Sequence, residues 1–272
     1  ITAPEAAVID VEGQLLLPGF IDAHTHFDLD VCNTTTADNF DTGTRSAIHG
    51  GTTLVIDFAC PNKGESLQYG LDLWHKKADG RTFCDYGFHM TIDDWNESIE
   101  SELDAMFDAG ITSFKMYLTY PAMMIGDGAV YRALKALKAR GGIAGVHCEN
   151  AGVIDARIAE LKASGLGADV VSHPISRPDY LEAEAVSRLL RIAQAADAPV
   201  IIVHTTNRAS LDEIAAARRR GKQRPQIRAA APSAPRAPAF RHSNDAESGP
   251  PRARGRSCLL YTSPSPRDRQ KS

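Results

Sequence analysis

Four histidines and one lysine are the residues of this chain whose types and settings can do chemistry. His24 and His26 flank a threonine at the end of an apolar run, Leu17-Pro18-Gly19-Phe20-Ile21-Asp22-Ala23-His24-Thr25-His26-Phe27-Asp28. Residues i and i+2 of a β-strand share a face, so both imidazoles can meet one metal ion from a rigid element. Nine histidines in 272 residues produce an H-x-H triplet by chance roughly 0.3 times per chain, so the pair alone carries little. Lys115 lies in Thr112-Ser113-Phe114-Lys115-Met116-Tyr117-Leu118-Thr119-Tyr120, a run otherwise suited to burial. An unpaired ammonium is costly to desolvate. A neutral buried amine can instead react with carbon dioxide to a carbamate, whose two oxygens can bridge two metal ions; the plain alternative is a lysine that snorkels to a strand end. His147, in Gly145-Val146-His147-Cys148-Glu149-Asn150, and His204, in Val203-His204-Thr205-Thr206, each close an apolar run. Singly, each reads as a hydrogen-bonded core histidine. Four histidines and a lysine at the ends of four strands point together to metal-assisted hydrolysis.

The elements that must position them alternate. Short β-branched or aromatic runs predict strands at 17–25, 52–60, 85–92, 113–119, 143–149 and 199–206, and longer periodic stretches predict helices at 38–49, 66–77, 95–108, 129–139, 151–164, 180–196 and 209–220. In the 180–196 stretch, Leu181, Ala185, Leu189 and Ile192 recur at three- and four-residue steps and give one buried face. Alternation implies parallel strands joined by crossovers, in an open doubly wound sheet or in most of a (β/α)8 barrel. A doubly wound nucleotide binder carries a glycine-rich phosphate loop after its first strand, whereas this first strand ends in H-T-H. Catalytic groups drawn from several strand ends belong to the top face of a TIM-type barrel. The expected architecture is therefore an incomplete TIM-type (β/α)8 barrel over 17–223, about six units long.

Composition sets the bounds. A 43% hydrophobic content suffices for a sizeable core. No stretch approaches the roughly 18 apolar residues that span a bilayer, and the first residues lack the pattern of a signal peptide, so a cytoplasmic location is expected. Five scattered cysteines without a C-x-x-C suit reduced thiols rather than a disulfide framework. The net charge of −4 hides a split, since residues 224–272 hold ten Lys/Arg and three Asp/Glu while residues 1–223 hold twenty and thirty-one. Eight of the fifteen prolines also fall in 224–272, where apolar periodicity is lost. That basic tail has few aromatics to interleave with bases, so no nucleic-acid partner is expected. Its end, Leu259-Leu260-Tyr261-Thr262-Ser263-Pro264-Ser265-Pro266-Arg267-Asp268-Arg269-Gln270-Lys271-Ser272, resembles translated sequencing adapter, and the expectation is a frameshift near residue 223 followed by a non-native, disordered tail.

From about Val8 to Lys222 the text resembles the dihydropyrimidinase and hydantoinase branch of the cyclic amidohydrolases. The shared stretches are Pro18 to His26, Thr35-Thr36-Ala37-Asp38-Asn39-Phe40, Gly43-Thr44, Gly50-Gly51-Thr52-Thr53, Asp85-Tyr86-Gly87-Phe88-His89, Gly110 to Lys115, Val146 to Asn150 and His173-Pro174-Ile175-Ser176-Arg177-Pro178. The resemblance implies two Zn2+ ions: His24 and His26 on the more buried one, His147 and His204 on the second, and carboxylated Lys115 as the bridge. It implies that Tyr120 contacts substrate and supports the oxyanion, that the substrate is a dihydropyrimidine or hydantoin opened to an N-carbamoyl amino acid, and that an intact homologue is a homotetramer. It also implies a small β-sandwich, of which residues 1–16 would be the remnant, and a catalytic aspartate at the end of an eighth strand. Nothing after Lys222 matches that aspartate, so this chain as written is expected to be an inactive fragment. An allantoinase shares the metal ligands, but the text around Lys115 and His173 disfavours it; retention of all five ligands disfavours a non-catalytic assembly protein of the same family.

Other residues read more plainly. His49, His75 and His89 lack ligand spacing and read as surface or packing residues. His173 reads as shaping a loop near the site, Cys148 as a packed thiol and Asp38 as a helix N-cap.

Overall fold

In a computed structural model of the chain, residues 9–31 and 34–221 are described. The expected remnant of a small sheet falls partly among them: residues 9–16 form a turn at Glu12-Gly13 and no strand, and residues 1–8 lie outside the described residues. The tail from 224 onward also lies outside them.

Strand β1 (Phe20–Thr25) leads into a hairpin of β2 (Asp30–Val31) and β3 (Thr34–Thr35), then helix α1 (Phe40–His49). β4 (Thr52–Ala59), α2 (Leu67–Ala78), β5 (Asp85–Thr91), α3 (Glu97–Asp108), β6 (Ser113–Tyr117), α4 (Asp127–Ala139) and β7 (Ile143–His147) follow. α5 (Ala151–Ala163), α6 (Ser172–Ser176), α7 (Asp179–Ala196), β8 (Val200–Ile202) and α8 (Arg208–Gly221) complete the described chain. The main sheet has six parallel strands in the order β1-β4-β5-β6-β7-β8. Each new strand adds beside the last and the order never reverses, which removes the doubly wound alternative.

The sheet is also curled. In a flat sheet its two edge strands would stand about 24 Å apart at the usual strand spacing. The rings of His24 on β1 and His204 just past β8 instead have centroids 5.4 Å apart. The six β/α units thus form most of the wall of a (β/α)8 barrel, with α1, α2, α3, α4, α7 and α8 packed neighbour to neighbour around it. α5 and α6 pack on each other between β7 and α7, as an addition to the repeating unit. The core fills the space between sheet and helices with residues such as Val55, Tyr86, Leu103, Phe114, Val146 and Leu189.

Of the boundaries that differ from the sequence reading, three have a clear local cause. Leu15, Leu16 and Leu17 are 88%, 85% and 64% exposed, and β1 begins only at Phe20. Pro18 has no N–H to give a sheet, and Gly19 passes so close to Thr53 that any side chain there would collide with it. The cap of α1 is Asn39, whose side chain accepts from Thr42 N while Thr42 reaches back to Asn39 N. Asp38 instead accepts from the Thr42 hydroxyl and gives its carbonyl to Asp28 N. Finally, β8 ends at Ile202, leaving His204 in the turn beyond it.

Candidate metal centre

All strands of the main sheet run the same way, so their C-terminal ends form one rim, and the chemically loaded residues gather there. β1 slips register against β4 between Asp22 and Thr25, three residues on β1 spanning two on β4. A bulge of this kind re-aims side chains, and here it holds His24, whose N–H bonds the Asp22 carboxylate at 3.1 Å. His24 and His26 meet edge to face with centroids 5.1 Å apart, and both pack on Phe58 at 4.7 and 4.8 Å. Beneath them lies Asp57, fully buried. It accepts from Thr25 Oγ1 and Phe27 N on the segment that carries the histidine pair, from Phe58 N on its own strand, and from Trp74 Nε1 on α2. Burial pushes its carboxyl up to about 7 even with these donors.

Lys115 sits mid-strand on β6, 1% exposed. Its Nζ lies 4.9 Å from the Phe58 ring centroid and 5.0 Å from that of Tyr117. In its charged form it would add to the lowering that burial imposes on the imidazole pKa of His24, His89, His147 and His204. On β5, His89 stacks on Phe58 at 4.8 Å and bridges the Ala23 carbonyl at 3.0 Å and Ser113 Oγ at 2.5 Å, tying β1 to β6 behind the cluster.

The far side is polar. His147 ends β7, and its Nδ1 lies 3.0 Å from His204 Nε2. Its Nε2 lies 2.8 Å from Glu149 Oε2, and Glu149 Oε1 faces Arg177 Nε at 3.4 Å. Each residue of Val146-His147-Cys148-Glu149-Asn150 has its own work: Val146 and Cys148 are buried in the core, and Asn150 caps α5 by accepting from Val153 N. Tyr120 follows β6 with its ring centroid 5.2 Å from that of His147. The loop after it is held by Lys63 Nζ, which donates to the Pro121 and Met124 carbonyls. Three of the non-glycine residues with positive φ border this rim: Asp28 at 49°, Tyr120 at 66° and His204 at 38°. Backbone held in this costly region concentrates at functional sites.

The structure thus gathers His24, His26, Lys115, His147, His204 and Tyr120 in one place. Among the described residues no three His, Cys, Asp or Glu side chains converge in metal-binding geometry; His147 and His204 are turned onto each other, and the central group is a lysine. The donor set fits divalent cations all the same. His24 Nε2 is buried and makes no hydrogen bond. Burial holds His24, His147 and His204 below the ordinary imidazole range, which favours the neutral form that ligates metal.

The amidohydrolase family matches residues 15–167, a span that contains His24, His26, Lys115, Tyr120 and His147. The chain belongs to the amidohydrolase family. This amidohydrolase chain is 41% identical over 215 residues to the D-hydantoinase of Streptomyces coelicolor, covering 79% of itself and 46% of that protein. It is 37% identical over 217 residues to the dihydropyrimidinase of Rattus norvegicus, covering 79% of itself and 42% of the relative. The crystal structure of dihydropyrimidinase from Brevibacillus agri NCHU1002 resembles it with a TM-score of 0.79 at 39% identity, over 81% of this chain and 48% of that one. The amidohydrolase chain therefore spans about half the length of the relatives it matches.

Four residues of the candidate site, Asp57, Phe58, Glu149 and Arg177, were given no role by the sequence reading, and His89, read as a surface or packing residue, packs on Phe58. Asp57 had a signal, a carboxylate inside the apolar run Thr52-Thr53-Leu54-Val55-Ile56-Asp57-Phe58. Glu149 and Arg177 stand in separate elements, and only folding brings them together.

Proposed function

We propose that this chain carries the metal-binding portion of a site that opens the amide bond of a cyclic ureide, a dihydropyrimidine or a hydantoin, to give an N-carbamoyl amino acid. The observation that supports this most is the meeting of His24, His26, Lys115, His147 and His204 on one rim, with Lys115 1% exposed. In this reading His24 and His26 hold one zinc ion, His147 and His204 a second, and carboxylated Lys115 joins them. Carboxylation needs only carbon dioxide: the neutral amine attacks the carbon, an N–C bond forms, one N–H proton leaves to water, and a carbamate anion remains. Bound there, a zinc pair lowers the pKa of water toward neutrality and polarises a carbonyl.

The chain's own residues supply the rest. Attack on the ring carbonyl places negative charge on its oxygen, and a Tyr120 hydroxyl donating to that oxygen contributes about 3 kcal/mol. Phe58 lines the cluster floor with apolar surface and strengthens each polar contact above it. The departing ring nitrogen needs a proton, and the aspartate that would deliver it belongs to an eighth barrel strand; β8, the last strand among the described residues, is the sixth.

The test is ring opening of dihydrouracil, a 5-substituted hydantoin and allantoin, by this chain and by a chimera in which residues 1–222 are followed by the remaining strands of a D-hydantoinase. Zinc-dependent opening of either of the first two rings, abolished by Lys115→Ala, supports the reading. Preference for allantoin, or no zinc-dependent opening of any ring by a folded chimera, contradicts it.

A further inference from the structure

His147 uses both ring nitrogens, and the two face different partners. Nδ1 points into the cluster, 3.0 Å from His204 Nε2, and Nε2 points away from it, 2.8 Å from Glu149 Oε2. The second Glu149 oxygen is engaged by Arg177 Nε at 3.4 Å, and the two side chains are only 14% and 16% exposed. A carboxylate paired with a guanidinium offers lone pairs and no proton, so Nε2 must be the donor. In the neutral ring that donation leaves Nδ1 as a bare lone pair facing the cluster, and the 3.0 Å contact fits a His204 tautomer with its proton on Nε2.

We propose that Glu149, held from behind by Arg177, is a positioning residue that fixes the Nε2–H tautomer and ring orientation of His147 and thereby presents Nδ1 as its metal-binding atom. The last clause rests on the proposed metal site; the tautomer does not. Arg177 reaches Glu149 because α6 docks on α5, where Arg157 Nη2 donates to the Ile175 carbonyl at 2.7 Å. The Ser176 hydroxyl, turned onto the His173 carbonyl at 2.8 Å, closes the same turn. The segment His173-Pro174-Ile175-Ser176-Arg177-Pro178 thus gains a function as the mount for one guanidinium. A carboxylate behind a ligating histidine sets which nitrogen is free and raises its basicity, and its loss typically weakens metal binding about 10–100-fold.

The experiment is a long-range 1H–15N correlation spectrum of the metal-free, 15N-histidine-labelled 272-residue chain, with His147 assigned by the signals lost in His147→Gln. The expected result is a protonated Nε2 and an unprotonated Nδ1 in the wild type. Glu149→Ala should give a mixture of tautomers, and Glu149→Gln, whose carbonyl still accepts, should retain the wild-type pattern. Zinc affinity measured on the same proteins by competition with a chelating dye should fall about 10–100-fold in Glu149→Ala and less in Glu149→Gln. A protonated Nδ1 in the wild type, or an unchanged pattern in Glu149→Ala, overturns the proposal. If Glu149→Ala does not fold, the wild-type spectrum and the Glu149→Gln affinity still decide it. The Nε2–H tautomer in a chain that binds no zinc would support the role of Glu149 while refuting the metal site.

Discussion

The two ends of the site are held by opposite means. Around His24 and His26 the neighbours are rings, with Phe58 as a shared floor and His89 behind it, and the Asp57 carboxyl beneath them is sealed by four donors. Around His147 and His204 the neighbours are polar, in a hydrogen-bonded run from imidazole to imidazole to carboxylate that ends in an ion pair with a guanidinium. Apolar packing fixes where a ring lies, because displacing it exposes surface, but it does not choose which nitrogen carries the proton. A hydrogen-bond chain chooses the nitrogen and depends on each member being satisfied. The first end should therefore fail by losing stability and the second by losing orientation.

The largest expected effect is at the first end. Asp57→Ala strands the Thr25 hydroxyl, the Phe27 and Phe58 amides and the Trp74 indole without their acceptor. At about 1–3 kcal/mol for each unpaired buried donor, partly relieved by relaxation, chemical denaturation should show a loss of about 4 kcal/mol. A smaller loss than that of Arg177→Met would invert the comparison.

Next is a pH effect at His89, whose pKa burial lowers to about 4 from the ordinary 6.5. The unfolded chain binds this proton below 6.5 and the folded chain refuses it until about 4. Stability is thus fully retained above the unfolded value and falls as pH drops through this window, by at most about 3 kcal/mol. His89→Gln should flatten that part of the denaturation-versus-pH profile, and an unchanged slope would remove His89 from the account.

Phe58→Leu should cost about 1–2 kcal/mol and disturb the NMR signals of His24 and His26 while leaving the His147 tautomer intact. Equal disturbance of both pairs would show the two ends to be one unit. At Arg177→Met the effect expected is on orientation, a mixed His147 tautomer read in the same spectra.

Much of this arrangement was legible before folding, for a physical reason. Ligand-type side chains set inside or at the end of apolar strands declare themselves by contrast, which is why His24, Lys115 and His147 could be placed from their surroundings. Parallel strands then bring such ends together whatever their separation in sequence. The boundary of β1 was obscured because Leu15, Leu16 and Leu17 look like core, yet the strand cannot start before Pro18 and Gly19 have passed. Asp38 and Asn39 are both good caps, and the choice of Asn39 rests on its capping box with Thr42. His204 ends an apolar run, but its φ of 38° is a product of the turn and leaves no trace in residue type. The pairing of Glu149 with Arg177 depends on how α6 docks on α5, which no local pattern encodes.

The central claim is that Lys115 joins two metal ions between four histidines. The most direct measurement is a 13C spectrum, with parallel metal analysis, of the chain loaded with zinc in 13C-bicarbonate. The expected result is one carbamate resonance, absent in Lys115→Ala, with about two zinc ions per wild-type chain. A folded wild-type chain that shows no carbamate and binds one zinc ion or none would contradict it.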